Sequence, residues 1–427
     1  MKIEASTLAA WRGRVFLAAW TLYAGYYMCR KDIASPTTEA GVEHFAMSLT
    51  CFGATYALGQ FAGGELADRF GARPVALSGA GISILCTILM TWCVQPALGF
   101  GLILQLGNGL GQGLGWPSLL KLIGGWFRRG ERDIVLGWWS TSYILGGLLA
   151  TSLTAWLVVH TGIAERTGFH PAYIASSALL ILAALFFYRE TSHLPDSLSC
   201  DSDSHDDVAV RSAIGQWKRV VANRNIRIIS AAYFFLKMTR YTLLFWLPRY
   251  LVSSLGRSHG TAEHAASYFE LFGFVGPLLV AYTLQRRLGG RHLTLGAGML
   301  FALAFLCLLH PMMATSGGFA VTLSIALMGI LIYGADVLMS GMAVLDSVHE
   351  DLHGRAAGFV NGVGSIGQMI SPLLVTVFVS RLGWTRLFDL FVFFALVAGA
   401  ICAFGPHQLV RTSEPNRSDV ETSFLPL

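Results

Sequence analysis

Two arginines stand where a chain that otherwise avoids charge can least accommodate them. Arg30 closes an apolar run that begins near Val15 and holds no earlier charge, and Arg240 lies inside another such run, between Arg227 and Arg249. Lys237 precedes Arg240 by three residues and so shares its helix face, and Asp336 sits midway through a third apolar run, in LIYGADVLMSG. An ionisable side chain at bilayer depth costs several kcal/mol unless it is paired or hydrated, so each of these residues is a candidate for function. Arg30 alone is ambiguous: about 15 residues past the start of its helix places it roughly 23 Å along the axis, within reach of the interface by snorkelling. Arg240 falls near mid-membrane, where snorkelling is hardest. Two like charges facing each other repel unless an anion lies between them, and a guanidinium fork matches phosphate or carboxylate oxygens bidentately. The pair therefore reads as an anion clamp, with pore lining or structural ion pairing as the alternative. Asp336 is expected to neutralise Lys237 or to tune the charge offered to substrate, and a purely structural pair is equally open. Tyr23 and Tyr27 share a face with Arg30, where their hydroxyls could meet phosphate or sugar oxygens. Tyr26 and Tyr241 are nearby, and packing is the ordinary use of a tyrosine on an apolar helix.

The elements that must position these residues are long apolar helices. Of the 427 residues 54% are hydrophobic and 13% charged, with a mean hydropathy of +0.56, whereas a soluble globule carries about 25% charge. The composition specifies a polytopic membrane protein, and no cleavable signal pattern precedes the first run. A span needs about 20 apolar residues, and about twelve such runs are present. Arginines and lysines gather in alternate loops, at Arg12 and Arg14, Arg69 and Arg73, Arg128, Arg129 and Arg132, and Lys218 to Arg227. The positive-inside rule then makes both termini cytoplasmic. The longest polar segment contains PDSLSCDSDSHDD, which is acidic and lacks helical periodicity. It divides the runs six and six: an N-terminal bundle at 1–192, a cytoplasmic linker at 193–225, a C-terminal bundle at 226–407 and a cytoplasmic tail at 408–427.

Three correspondences support duplication of a six-helix unit. LADRFGAR at 66–73 matches LQRRLGGR at 284–291, Arg30 matches Arg240, and Gly137 and Gly146 match Gly358 and Gly367, at offsets of about 210 to 221. Parallel repeats of this kind build the transporters of the major facilitator superfamily. GELADRFGAR, with Gly64, Asp68, Arg69, Gly71 and Arg73, resembles the superfamily's signature between its second and third helices. The resemblance implies a conformational lock at the cytoplasmic rim, with Asp68 and Arg69 as its acidic–basic pair, rather than a substrate site.

Other chemistries find no support. GNGLGQGLGWPS mimics a nucleotide loop, but Gly107, Gly111 and Gly115 are spaced by four, as close-packed membrane helices require. The seven cysteines form no CxxC pair and the twelve histidines no metal spacing. Neither an enzyme, a cofactor, a metal nor a nucleic-acid partner is expected.

YAGYYMCRK (23–31), GLGWPSLLKLIGGWFRRGERDIVLGWW (113–139) and KMTRYTLLFWLPRYL (237–251) together resemble the organophosphate:phosphate antiporter family. The GWPS form, the FWLP segment and GSIG (364–367) are most similar to its sugar-phosphate exchangers. The resemblance implies an all-α fold of twelve transmembrane helices in two pseudo-symmetric six-helix bundles. It also implies that the family's paired substrate arginines fall on Arg30 and Arg240. This chain departs from the bacterial members by carrying Gln60 in place of a lysine, Tyr143 in place of a histidine, and an acid at Asp336. The expected activity is exchange of a phosphorylated sugar or small organophosphate for inorganic phosphate, by a monomer in the plasma membrane, or the inner membrane of a bacterium. A membrane sugar-phosphate sensor of the same fold, or a carrier of a non-phosphorylated organic anion, are the alternatives.

Overall fold

The computed structural model describes residues 5–30, 39–93, 99–161, 171–191, 213–288 and 291–405, and what it describes is almost wholly helical. Helices are what the composition demands, because in hydrocarbon every backbone N–H and C=O must be satisfied within the segment. The N-terminal helices are α1 (Ala5–Met28), α2 (Glu39–Phe70), α3 (Ala72–Met90), α4 (Phe100–Gly113), α5 (Gly115–Trp126), α6 (Arg129–Thr161) and α7 (Pro171–Thr191). A short helix α8 (Ala213–Ala222) follows, inside the segment expected to be a linker. The C-terminal helices are α9 (Arg224–Leu255), α10 (His259–Gly273), α11 (Val275–Thr283), α12 (His292–Thr315), α13 (Gly318–Val337), α14 (Ala343–Ser347), α15 (His353–Leu382) and α16 (Leu387–Phe404). Lys31, Asp32, the acidic part of the linker and the tail lie outside the described residues.

Eight helical stretches among the described residues are long and apolar enough to cross a membrane. The other long rods are α1, α2, α4–α5 and α9; α9 carries Lys237 and Arg240 and Arg30 follows α1, whereas Asp336 lies on α13, one of the eight. Each has local reasons to start or stop where it does. The Asn223 side chain accepts from the Ile226 N–H and caps α9, and Gly256, at φ +62°, ends it in the left-handed conformation that glycine adopts without strain. Leu114 keeps helical dihedrals where α4 gives way to α5, so the two continue as one interrupted rod.

α1 lies on α6 and α7, and α2 and α3 lie on α4, while α9 lies on α15 and α16, and α12 on α13 and α16. The two sets meet along α2 and α15 and again along α6 and α11. Small residues permit the approach. A Cβ on Gly64 would fall 2.5 Å from the Gly354 carbonyl oxygen, and one on Gly53 would fall 2.9 Å from the Met369 Cα. Gly111 faces Gly79 and Ile82 of α3, Gly107 faces Cys86, and Gly115 faces the ring of Tyr26. The four-residue glycine spacing is thus a packing seam.

Candidate functional site

Arg30 follows the last turn of α1, its N–H bonded to the Tyr27 carbonyl, and it is buried at 3% exposure. It does not snorkel. Its Nε donates to Gln112 Oε1 at 2.7 Å and its Nη1 to the Tyr241 hydroxyl at 3.2 Å. The guanidinium carbon lies 4.3 Å from the Tyr27 ring centroid and 4.4 Å from that of Tyr56, so π faces flank the cation. Gln112 is oriented in turn by its own donation to Asn108 and Ser83, and Asn108 reaches the Cys29 carbonyl. Nη2 of Arg30 is buried with no hydrogen-bond partner among the described residues.

Arg240 projects from the middle of α9 at 2% exposure. Its Nη2 donates to the Tyr27 hydroxyl at 3.2 Å, and its carbon lies 5.0 Å from the Tyr143 ring and 4.8 Å from the Tyr333 ring. Each arginine therefore reaches a tyrosine that neighbours the other: Arg30 takes Tyr241, and Arg240 takes Tyr27. This crossed pair is the centre of the site.

Asp336 is placed differently from its expected role beside Lys237. Its carboxylate accepts from Arg240 Nη1 at 2.6 Å, from the Tyr233 hydroxyl at 2.9 Å and from the Tyr143 hydroxyl at 2.9 Å. The paired side chains are 3% and 1% exposed. Lys237 instead donates to Ser365 Oγ at 2.9 Å, with its ammonium 4.9 Å from the Tyr233 ring. Lys237 and Arg240 share one face of α9, and the approach of α13 decides which of them meets the acid. Gly364 leaves the space that Lys237 needs, since a Cβ there would lie 3.0 Å from the lysine Cδ.

Tyr23 packs among rings, 5.2 Å from both Trp116 and Trp139 and 5.7 Å from Tyr27, and so backs the site instead of contributing a polar contact. Tyr26 donates to the Ala76 carbonyl at 2.6 Å and fastens α1 to α3. Residues not among the candidates complete the site: Tyr56, Gln112, Tyr143, Tyr233, Tyr241 and Ser365, of which the sequence already marks Tyr143 as a departure from the bacterial members and Tyr241 as a neighbour of the clamp. Gln60, one turn from Tyr56 on the same side of α2, is buried, and neither amide atom has a hydrogen-bond partner among the described residues. Its polar character in an apolar helix was the signal available.

At the arginine-rich end, the glycine-rich motif joins α2 to α15. Asp68 accepts from the backbone N–H groups of Gly354 (3.2 Å) and Arg355 (3.0 Å), from Arg355 Nη1 (3.0 Å) and from Lys121 Nζ (3.0 Å). Glu65 receives Arg355 through a fork at 2.7 and 3.0 Å, and it also accepts from Trp217 of α8 at 2.9 Å. The expected pairing of Asp68 with Arg69 is replaced by this bond to Arg355. Arg69 is exposed over the Phe70 ring, and Arg73 lies over the Tyr188 ring. Gly71, at φ +90°, makes the turn into α3. Arg132–Glu350 and Arg129–Asp346 add further ties between α6 and the C-terminal helices.

Residues 15–365 and 229–426 match the family model described as Major Facilitator Superfamily. The chain is 24% identical over 440 residues to putative glycerol-3-phosphate transporter 2 of Arabidopsis thaliana, covering 91% of this chain and 85% of that one. It is 25% identical over 406 residues to the glucose-6-phosphate exchanger SLC37A2 of Xenopus laevis, covering 83% and 77%. Sugar phosphate exchanger 3 of Bos taurus is 24% identical over 400 residues, covering 84% and 78%. Among solved structures, the transporter FucP in its outward conformation superposes with a TM-score of 0.68 at 14% identity, covering 92% of this chain and 99% of that one. The human organic anion transporter MFSD10 superposes with a TM-score of 0.69 at 14% identity and the same coverage. At such identities the superpositions speak for the fold alone.

Proposed function

The chain belongs to the Major Facilitator Superfamily, a multi-pass membrane transporter and not an enzyme, and on that premise we propose that it exchanges a phosphorylated sugar or small organophosphate for inorganic phosphate. The observation that carries the proposal is the crossed pair. Two buried arginines from distant parts of the chain each reach the other's tyrosine, and Arg30 Nη2 and Arg240 Nε have no hydrogen-bond partner among the described residues. A buried donor without a partner costs about 1–3 kcal/mol, more when charged, and a phosphoryl oxygen would recover it. Arg30 and Arg240 bind the phosphoryl group, while Tyr27, Tyr241 and Gln112 hold the guanidinium planes in position. Gln60 supplies a neutral amide toward the same side.

The proposal extends to the architecture. The eight apolar helices, together with α1, α2, α4–α5 and α9, make twelve spans in two bundles, 1–192 and 226–407, joined by the segment 193–225 and followed by a tail at 408–427. The arginine-rich end and both termini are cytoplasmic, and the protein works as a monomer in the plasma membrane, or the inner membrane of a bacterium. Rocking of one bundle against the other about the midplane site gives alternating access. The relatives named as glycerol-3-phosphate transporters and sugar phosphate exchangers support the substrate class.

Liposomes loaded with phosphate and carrying the purified protein test the reading. Wild type should exchange external labelled phosphate for internal phosphate, and glycerol 3-phosphate or glucose 6-phosphate should compete. Arg30→Gln and Arg240→Gln should each abolish exchange while the detergent-purified protein still elutes as a folded species. Near-normal exchange by both variants would overturn the clamp.

A further inference from the structure

The two arginines are not equivalent. Arg240 already holds an anion, the carboxylate of Asp336 at 2.6 Å, whereas Arg30 has neutral partners only, Gln112 and Tyr241, and no carboxylate within ion-pair distance among the described residues. The acid is also supported independently of Arg240. The hydroxyls of Tyr143 and Tyr233 donate to its two oxygens, one each, at 2.9 Å. A phosphoryl group that took Arg240 Nη1 would therefore leave a carboxylate with two hydrogen bonds still in place, and the exchange of one anion for another on the guanidinium becomes reversible at modest cost.

A carrier that must cycle by exchange alone has a physical reason for the restriction: without substrate, uncompensated buried cations resist closure of the site. Here the closure is eased from within. With Asp336 on Arg240, one of the three basic side chains has a full counter-charge. The other two face rings: Arg30 lies at 4.3 and 4.4 Å from Tyr27 and Tyr56, and Lys237 at 4.9 and 5.5 Å from Tyr233 and Tyr56. All three side chains are buried in this arrangement.

Resting on the reading of Arg30 and Arg240 as the phosphate site, we propose that Asp336 is a resident counter-anion that occupies Arg240 whenever substrate does not. It thereby gives the carrier a second activity, net transport of its anion without counter-substrate. An incoming phosphoryl group meets Arg30 first, the arginine with no carboxylate partner among the described residues, and then displaces Asp336 from Arg240. On release the carboxylate returns, and the unloaded carrier reorients.

Phosphate-loaded liposomes with the membrane potential clamped test this by two rates measured on one preparation: exchange against external phosphate, and efflux into phosphate-free medium. Wild type should show net efflux well above protein-free liposomes. In Asp336→Asn the ratio of efflux to exchange should fall about tenfold, which corresponds to about 1.4 kcal/mol on the barrier to unloaded reorientation. The half-saturating phosphate concentration should fall as well, because the competing anion is gone. Asp336→Glu, which keeps the charge, should hold the ratio near that of wild type. Wild-type efflux no faster than the protein-free leak, alongside brisk exchange, overturns the proposal without reference to any variant. A proportional loss of both rates in Asp336→Asn overturns it too, since that is what a purely structural acid would give. Absence of wild-type exchange, by contrast, strikes the phosphate reading itself, and this inference falls with it.

Discussion

Tyr27 and Tyr241 show how much of the site depends on single hydroxyls. Each accepts from the arginine on the opposite side of the site, and a hydrogen bond to a charged group contributes about 1.5–3 kcal/mol. Tyr27→Phe and Tyr241→Phe should each raise the half-saturating phosphate concentration about tenfold, with a smaller effect on the maximal rate. Initial exchange rates across a phosphate series measure both quantities. Tyr26→Phe, which loses only the bond to the Ala76 carbonyl, should leave that concentration unchanged and lower thermal stability by about 1 kcal/mol. The arginines were legible from residue type and placement, because a charge inside an apolar run has few uses. The partner of Asp336 was not. Lys237 and Arg240 present themselves on one face of one helix, and only the placement of α13 against α9 selects between them. Tyr233 and Gln112 were hidden for a related reason: the hydroxyl of one and the amide of the other gain their meaning from a neighbour more than 80 positions away in sequence.

Among the elements, α2 and α15 carry the contact most exposed to perturbation. Their closest approach depends on Gly64 and Gly354, and Asp68 then ties off the first turn of α15 by accepting two backbone N–H groups beside two cationic side chains. Removing the carboxylate charge while keeping the shape should loosen that turn. Asp68→Asn is predicted to speed hydrogen exchange of the Gly354 and Arg355 amides about tenfold or more, with amides in the middle of α9 unchanged, as mass spectrometry of peptides from the two helices would record. Unchanged exchange at 354 and 355 would show that the glycine contact holds the ends together without Asp68. The glycine-rich motif was readable as a motif, but its partner was not. Arg355 and Glu65 are 290 positions apart, and no local pattern links them. α8 was missed because the acidic segment before it suggested a featureless linker. Its Trp217, bonded to Glu65, is the residue that anchors it. Asp336, for its part, lies two residues before the five-residue π stretch at Leu338–Met342 that follows α13, a local departure from α geometry that often accompanies functional positions.

At the scale of the whole molecule, the repeat at about 210 to 221 residues was the most informative feature of the sequence, because it gave Arg30 a counterpart before any coordinates did. The superposition on solved transporter structures shows the all-helical fold alone. The proposed clamp makes the two arginines one site and not two. Equilibrium binding of labelled inorganic phosphate to the purified protein, in wild type, Arg30→Gln, Arg240→Gln and the double variant, tests it most directly. A clamp loses its hold when either side is removed, so each single substitution should weaken binding about a hundredfold, and the double variant should be little worse than either one. Affinity undiminished in either single variant, with only the number of phosphates bound per protein halved as two independent sites require, would contradict it.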